Sequence, residues 1–526
     1  MEAAARATPA MAGPVYTRRQ PEKTALFQVV QQHLLTFEQE WTDKSDGRTL
    51  PKFVLDELHG FMACGVLGRG LAHLYCDACR EHHVVAFSCK ARAVCPSCLG
   101  RRMNEGALNL VDHVLPDVPL RQFVFTVAFP LRFPLAFDGA LLGQVVRIFV
   151  DTVDGWYRRR HVERGLPPGE TGAVAVIQRA NSDLRLNPHI HAVCLDGVYS
   201  ADREGARNAR GVGRGRCGPE VPEGGEGKGL MFHPAPAPSQ EEIESLVGRA
   251  SKRILRFLQR RKVITLVTAP GDGEVTVVGD ETMGEKDPLL ARLLAAAAAG
   301  AAPAGPANQR KPLRIVLDPD ERPVGKGTLC AQTQGFNLHA ATKVAANDTQ
   351  GRLALCKYIL RPPLANDRLK ILDDGNVRLQ LKKPWSDGTS SVDLEPLALI
   401  ARLAALVPPP KRHLTRYFGV LSSHAASRSE VVPTPTEPTP TDEKAKPKSA
   451  GKSKYIPWHE LLRKTFGFEV VCQKCQSPLR LIALIKTEDV AKKILTAMHL
   501  PTDVPQLHPA RPPPRKEEGG DDDCVN

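Results

Sequence analysis

Two histidines flank one hydrophobe in His189-Ile190-His191, and a tyrosine sits among basic residues in Cys356-Lys357-Tyr358-Ile359-Leu360-Arg361-Pro362-Pro363. Side chains alternate along a strand, so His189 and His191 share one face while Ile190 and Ala192 take the other. Two imidazoles on one face can converge on a divalent metal. A tyrosine hydroxyl is a weak nucleophile at neutral pH unless cations stabilise its charge. Lys357 and Arg361 are placed to do that, and a metal on a phosphate would lower the barrier from the other side. Attack on phosphorus would leave the tyrosine bonded to a nucleic-acid strand.

Further residues bear on this chemistry. In Gly335-Phe336-Asn337-Leu338-His339-Ala340, Asn337 and His339 share a face, which makes His339 a candidate third metal ligand. Asp348 is a rival carboxylate, although it more simply caps the following helix. Tyr417, in Arg416-Tyr417-Phe418, competes with Tyr358 as nucleophile. Cys76-Asp-Ala-Cys79 and Cys95-Pro-Ser-Cys98, fifteen residues apart, match the four-cysteine zinc pattern, in which each turn supplies two thiolates. Four cysteines leave no open position, so that zinc is expected to be structural. Cys64, Cys89, His82 and His83 lie close enough for swapped ligands or a second metal. Cys472-Gln-Lys-Cys475 is a half-site needing two more ligands. Arg92, Arg101 and Arg102 stand where they could touch phosphates.

The elements that position these residues follow from periodicity. Phe27, Val30, Leu34 and Phe37 recur at helical spacing from Thr24. Gln122 to Phe129 reads as a buried strand, Leu141 to Arg160 as a helix, and Ala173 to Ile177 as a strand. Pro188 to Leu195 is a strand expected to turn at Asp196-Gly197, the favoured two-residue hairpin dipeptide, into Val198-Tyr199. Ser239 and Glu242 form a capping box for a helix striped by Ile243, Leu246, Val247, Ala250, Ile254 and Leu258. Leu313 to Leu317 and Phe336 to Ala340 are further strands. The tyrosine helix runs from about Asp348 and must stop at Pro362-Pro363. Asn376 to Leu381 and Ser391 to Leu394 make a hairpin, followed by an apolar helix to Leu406.

Strands interleaved with helices and hairpins predict an α+β fold with a mostly antiparallel sheet. The expected organisation is a disordered tail over 1–23, a helical and zinc-binding domain over 24–110, and a catalytic domain over 115–430. A glycine-rich insertion at 200–229 interrupts the catalytic domain, with nine glycines between Arg203 and Gly229. An alanine-rich loop follows near 293–308. A linker at 431–454, a CxxC module at 455–500 and a disordered tail at 501–526 complete the chain. The formal net charge of +13 over 526 residues favours a polyanionic partner. Thirteen cysteines without an apolar leader argue for metal binding in the cytoplasm rather than disulfides, and no apolar run is long enough to span a bilayer.

Taken in order, Asn187 to Val193 running into Asp196 to Tyr199, Gly335 to His339, and Tyr358 to Ala365 resemble the rolling-circle insertion-sequence transposases of the HUH superfamily, the insertion sequence ninety-one type. Phe87 to Lys90 and Cys95 to Cys98 resemble that family's zinc-binding domain. Lys383 to Thr389 and His413 to Tyr417 add to the likeness, which spans about Phe53 to Arg428 with an echo at Cys472 to Ile485.

The resemblance implies a ferredoxin-like antiparallel catalytic sheet and His189 and His191 as ligands of Mg²⁺ or Mn²⁺. It also implies Tyr358 as nucleophile on single-stranded DNA at transposon ends and target DNA, leaving a 5′-phosphotyrosine. Some relatives carry two tyrosines one helical turn apart; here Ala354 occupies that position, so a single tyrosine is expected. Three other readings use the same residues: a zinc protein that binds DNA without cutting it, a phosphoesterase using water, and a relaxase or replication initiator.

Overall fold

The computed structural model describes residues 19–45, 47–201, 229–268, 275–279, 293–294, 297, 315–317, 323–433, 472, 474, 475, 477 and 479–511. The glycine-rich insertion, most of the linker and most of both tails lie outside the described residues. Of the alanine-rich stretch only Leu293, Leu294 and Ala297 are described, and these are helical and buried.

The elements that matter for the site are helices α1 (Ala25–Asp43) and α2 (Lys52–Met62), strands β1 (Leu71–Cys76) and β2 (Glu81–Ala86), helix α3 (Pro96–His113) and strand β3 (Leu120–Thr126). Helix α4 (Gly139–Glu163) and strands β4 (Gly172–Ala180), β5 (Leu186–Leu195), β6 (Gly197–Ala201) and β7 (Leu230–Pro234) follow. Then come α5 (Gln240–Arg260), β8 (Cys330–Thr333), β9 (Phe336–His339) and α6 (Thr349–Leu360). Strands β10 (Thr415–Gly419) and β11 (Arg480–Ile485) and helix α7 (Glu488–Ala497) close the series. The protein is α+β, and its eight-stranded main sheet, which runs β8-β9-β3-β5-β4-β10 with short strands Val324–Gly325 beside β8 and Lys343–Val344 beside β3, is antiparallel throughout.

Alternation along β5 splits the sheet into two faces. Ile190, Ala192 and Cys194 join Phe123, Phe125 and Phe336 under α4 and α5, where Phe125 stacks on Phe149 at 4.5 Å. The expected stripe of α5, from Ile243 to Leu258, is buried there, and its Ser239–Glu242 capping box forms. Val193 and Leu195 point to the other face, together with Val174 and Val176. They pack against Ala107 and Leu110 of α3 and Leu355, Cys356 and Ile359 of α6. The zinc-side helix and the tyrosine helix therefore cover the face that carries the histidines.

The division at 110–115 does not separate two cores. Leu26, Val30 and Leu34 of α1 share a buried cluster with Val377, Leu379 and Leu394 of the rear hairpin and with Leu399 to Leu406 of the helix after it.

The turn expected at Asp196-Gly197 is not a hairpin. Strand β6 leaves the main sheet and pairs with β7 and Gly169–Glu170 instead of folding back on β5. Neither residue has the positive φ that a two-residue hairpin would require. Two contacts explain the choice. A Cβ on Gly197 would stand 2.3 Å from the His233 carbonyl oxygen, so glycine serves close strand approach. The Asp196 carboxylate turns inward and accepts from Arg121 Nε at 3.0 Å, Arg121 Nη2 at 3.1 Å and the Tyr157 hydroxyl at 2.8 Å.

Candidate active site

Strand β5 delivers His189 and His191 to the face under α6, with ring centroids 5.0 Å apart. Asp348 caps α6 by accepting from the Gly351 amide, as its position before the helix predicts, so it acts as a cap. Twelve residues on, the helix ends at Leu360. That length brings the Tyr358 ring edge-to-face against His191, at 5.7 Å and 80°. Arg361 lays its guanidinium over the same ring at 4.2 Å from the centroid. Tyr358 remains 43% exposed, so its hydroxyl is reachable, and Lys357 is partly exposed beside it. One turn earlier Ala354 is exposed, leaving one tyrosine on this part of the helix.

Both imidazoles are held neutral. Burial, with smaller contributions from Arg361, Lys382 and Arg132, pulls His189 down to about 4. Burial, His189 itself, Arg361 and Lys382 pull His191 down to about 3. His189 Nδ1 donates to the Asn187 carbonyl at 2.8 Å, which leaves Nε2 with its lone pair. A backbone carbonyl on the far nitrogen is the usual way a metal-bound histidine is oriented. The Gln122 side-chain amide stands 2.8 Å from His191 Nδ1 and fixes that ring; with that amide turned so that its oxygen accepts from Nδ1–H, the lone pair falls on the buried Nε2 of His191, which has no hydrogen-bond partner. A lone pair on one ring and an orphaned buried nitrogen on the other fit a shared cation.

His339 stays outside this pair. The register sets His339 opposite Val124 and Val124 opposite His191, so His339 shares the face but stands two strands away. That is a backbone separation of about 10 Å at the usual strand spacing. Among the described residues no third His, Cys, Asp or Glu gathers with the pair closely enough to complete a metal site. Tyr417 occupies the same face two strands to the other side, on β10, and burial raises its hydroxyl above the usual tyrosine range.

Three residues join the site that were not singled out in the sequence. Gln122 and Gln178 are polar positions on the histidine face of strands otherwise rich in hydrophobes, and that interruption is a usable signal. Gln178, paired with His189 across the sheet, donates to the carbonyl oxygens of Tyr358 at 3.3 Å and Ile359 at 2.8 Å. It thereby satisfies carbonyls that the end of a helix leaves unpaired and ties the tyrosine helix to the histidine strand. Lys382 carries no such signal. Burial and the cations Arg361 and Arg368 bring its ammonium down to about 8. A cleft of about 580 Å³ runs from Gln178 and Arg361 past Arg92 and Arg102 of the zinc side to Arg412 and Tyr417.

The cysteines divide differently from the spacing argument. Cys76 and Cys79 do not share a tetrahedron with Cys95 and Cys98. The reason is the depth of the β1–β2 hairpin: six residues carry Cys76 to its tip, roughly 20 Å from its base. At the base Cys64 and Cys89 flank the hairpin and meet Cys95 and Cys98 at the start of α3. Sγ separations of 3.6 Å (Cys64–Cys98), 3.5 Å (Cys89–Cys98) and 3.6 Å (Cys95–Cys64) approach the edge of about 3.8 Å expected for thiolates tetrahedral about zinc. Arg19 donates to Cys64 Sγ at 3.6 Å and offsets part of the thiolate charge. Cys76 and Cys79 instead gather with Cys472 and Cys475.

Most of these residues, though not Cys472 and Cys475, fall within stretches that match known families. Residues 30–127 match a family model described as "Transposase zinc-binding domain". Residues 172–265 and 287–429, which contain both histidines and Tyr358, match one described as "Putative transposase". No curated protein and no solved structure matches the chain. Among the described residues no helix is long and apolar enough to cross a membrane. With a thiol cluster inside the first match and the histidine–tyrosine pair inside the second, the chain belongs to the insertion sequence ninety-one type of transposases, a zinc-binding domain joined to a transposase body.

Proposed function

We propose that this transposase nicks single-stranded DNA at its element's ends through a covalent bond to Tyr358 and passes the held strand to target DNA. The observation that carries this reading is the packing of Tyr358 against His191 beneath Arg361. Tyr358 Oη attacks the scissile phosphorus, the bond from phosphorus to the 3′-oxygen breaks, and that oxygen leaves as a 3′-hydroxyl after taking a proton. The Tyr358 proton departs as the new ester forms. One phosphodiester is exchanged for another, so a second 3′-hydroxyl can reverse the step without a nucleotide cofactor.

A divalent cation, Mg²⁺ or Mn²⁺, held through His189 and His191 would polarise the phosphate. The chain itself supplies the remaining charge. Arg361, Lys382 and Arg132 surround two neutral imidazoles, which suits a phosphodiester, and the cleft past Arg92, Arg102 and Arg412 gives the strand a basic path. The zinc side reaches the nucleophile through α3, which packs on α6.

The test incubates the protein with labelled single-stranded element ends and Mn²⁺, then looks for a band that survives SDS. Proteolysis and mass spectrometry should place the nucleotide remnant on the peptide containing Tyr358. Omission of Mn²⁺, or His189→Ala, should remove the band and leave the zinc content unchanged. A remnant on Tyr417, or free 5′-phosphate ends without an adduct, would refute the reading.

Gln178 is a positioning residue in this scheme. Gln178→Leu keeps the shape but releases the end of α6, and misplacement of a reacting group by about 1 Å costs on the order of 10²-fold. Adduct formation at saturating DNA should fall between about 10- and 100-fold with little change in DNA affinity. Equal loss of affinity and rate would point to general damage instead.

A further inference from the structure

We propose that Cys76, Cys79, Cys472 and Cys475 hold a second structural zinc that fastens the end of the chain to the zinc-binding domain. Cys472 and Cys475 lie outside both family-matched stretches. The four sulfurs lie within 4.8 Å of one another, with Cys76 Sγ 3.4 Å from Cys475 Sγ. The Cys79 amide donates to Cys76 Sγ at 3.4 Å, a bond that favours a thiolate. The Cys472 amide donates to the Ser477 carbonyl at 2.9 Å, which closes a tight turn around the second pair. Two such turns facing each other are the arrangement of a closed four-cysteine zinc site.

Independent contacts hold the two halves in place. Strand β11 pairs antiparallel with β1, from Leu71 opposite Ile485 to Tyr75 opposite Arg480, and makes the hairpin a three-stranded sheet. Asp77, between the first two cysteines, pairs with Arg480 at 3.0 Å, and Glu81 pairs with Lys474 between the second two. Helix α7 buries Ala491 and Leu495 against Leu67 and Leu71. Beyond it the chain runs back to α1, where Gln31 donates to the Gln506 carbonyl at 2.9 Å and the Arg511 amide donates to Thr36 Oγ1 at 3.1 Å. The two ion pairs are exposed and individually weak, as surface ion pairs are. A shared ion makes them a unit, because a ligand set assembled only in the folded state turns binding energy into folding energy. It also closes a loop of 399 residues between Cys76 and Cys475. The zinc-binding domain is thus complete only when the last part of the chain is present.

The full-length protein, purified with zinc, should contain two zinc ions per chain. Cys472→Ser/Cys475→Ser should contain one, and so should Cys76→Ser/Cys79→Ser; combining the four changes should still leave one. Cys475→His, which keeps a zinc-competent donor, should retain two. One zinc in the wild type, or two in Cys472→Ser/Cys475→Ser, overturns the proposal. So does an intact mass lowered by the hydrogens lost in disulfides among these four residues. Should the serine variants fail to fold, thiol alkylation of the wild type decides. All eight cluster cysteines should resist the reagent until a chelator is added. Protection of Cys64, Cys89, Cys95 and Cys98 alone would sink the second site.

Discussion

Tyr358→Phe should bind single-stranded element ends within about twofold of the wild type and form no SDS-resistant adduct. The substitution removes one oxygen and keeps the ring, so the edge-to-face contact with His191 and the Arg361 guanidinium above it both persist. The side chain is 43% exposed, and substitutions on such surfaces usually change stability by no more than about 0.5 kcal/mol. Binding depends on phosphates meeting arginines, and none of those charges changes. The covalent step has no such reserve. With Ala354 one turn before Tyr358, no second hydroxyl waits on that turn of the helix. Loss of a nucleophile from a cooperating set typically costs on the order of 10⁴-fold or more. Tyr417→Phe is the matched control and should leave the adduct in place, since Tyr417 stands two strands from the histidines. An adduct that survives Tyr358→Phe and vanishes with Tyr417→Phe would move the nucleophile to β10.

The sequence made the local features readable and left the long-range ones hidden. Alternation placed His189 and His191 on one face because a strand has period two whatever its neighbours. Asp348 before an apolar repeat and Pro362-Pro363 after it bounded the tyrosine helix, since capping and proline act within a turn. Cysteine spacing suggested zinc but not the partition. A C-x-x-C turn fixes two ligands locally, whereas its partner turn depends on where a hairpin tip lands and on a strand some 400 residues away. His339 shows the same limit. Its face was legible, but its distance from His191 depends on β3 lying between them.

Asp196 shows the limit most sharply, and its removal should be the most destabilising single change in the catalytic body. Read as half of a turn dipeptide, it would be exposed and replaceable. The folded chain instead buries its carboxylate completely, between the Nε–Nη2 edge of the Arg121 guanidinium and the Tyr157 hydroxyl, with Lys343 at 3.5 Å. Burial, with the Asp196 charge adding to it, raises Tyr157 well above its ordinary range, so that hydroxyl keeps the proton it donates. Arg121 also donates to the Ala340 carbonyl at 3.0 Å, next to the end of β9.

One carboxylate therefore ties together β3, the end of β5, β9 and helix α4, and β5 is the strand that carries both histidines. Asp196→Ala leaves the Arg121 cation buried without its partner, and breaking a buried pair in this way costs about 3–5 kcal/mol. That is a large part of the roughly 5–15 kcal/mol that stabilises a folded protein. Denaturant unfolding should show a midpoint shifted by that amount, and the adduct should fall with the folded fraction. Asp196→Asn can still accept hydrogen bonds but lacks the charge, so it should recover only part of the loss. Replacing both partners, as Arg121→Met with Asp196→Ala, should cost less than Asp196→Ala alone, because no charge is then stranded. If Asp196→Ala unfolded at the wild-type midpoint, the buried pair would not be what fixes the histidine strand in the sheet.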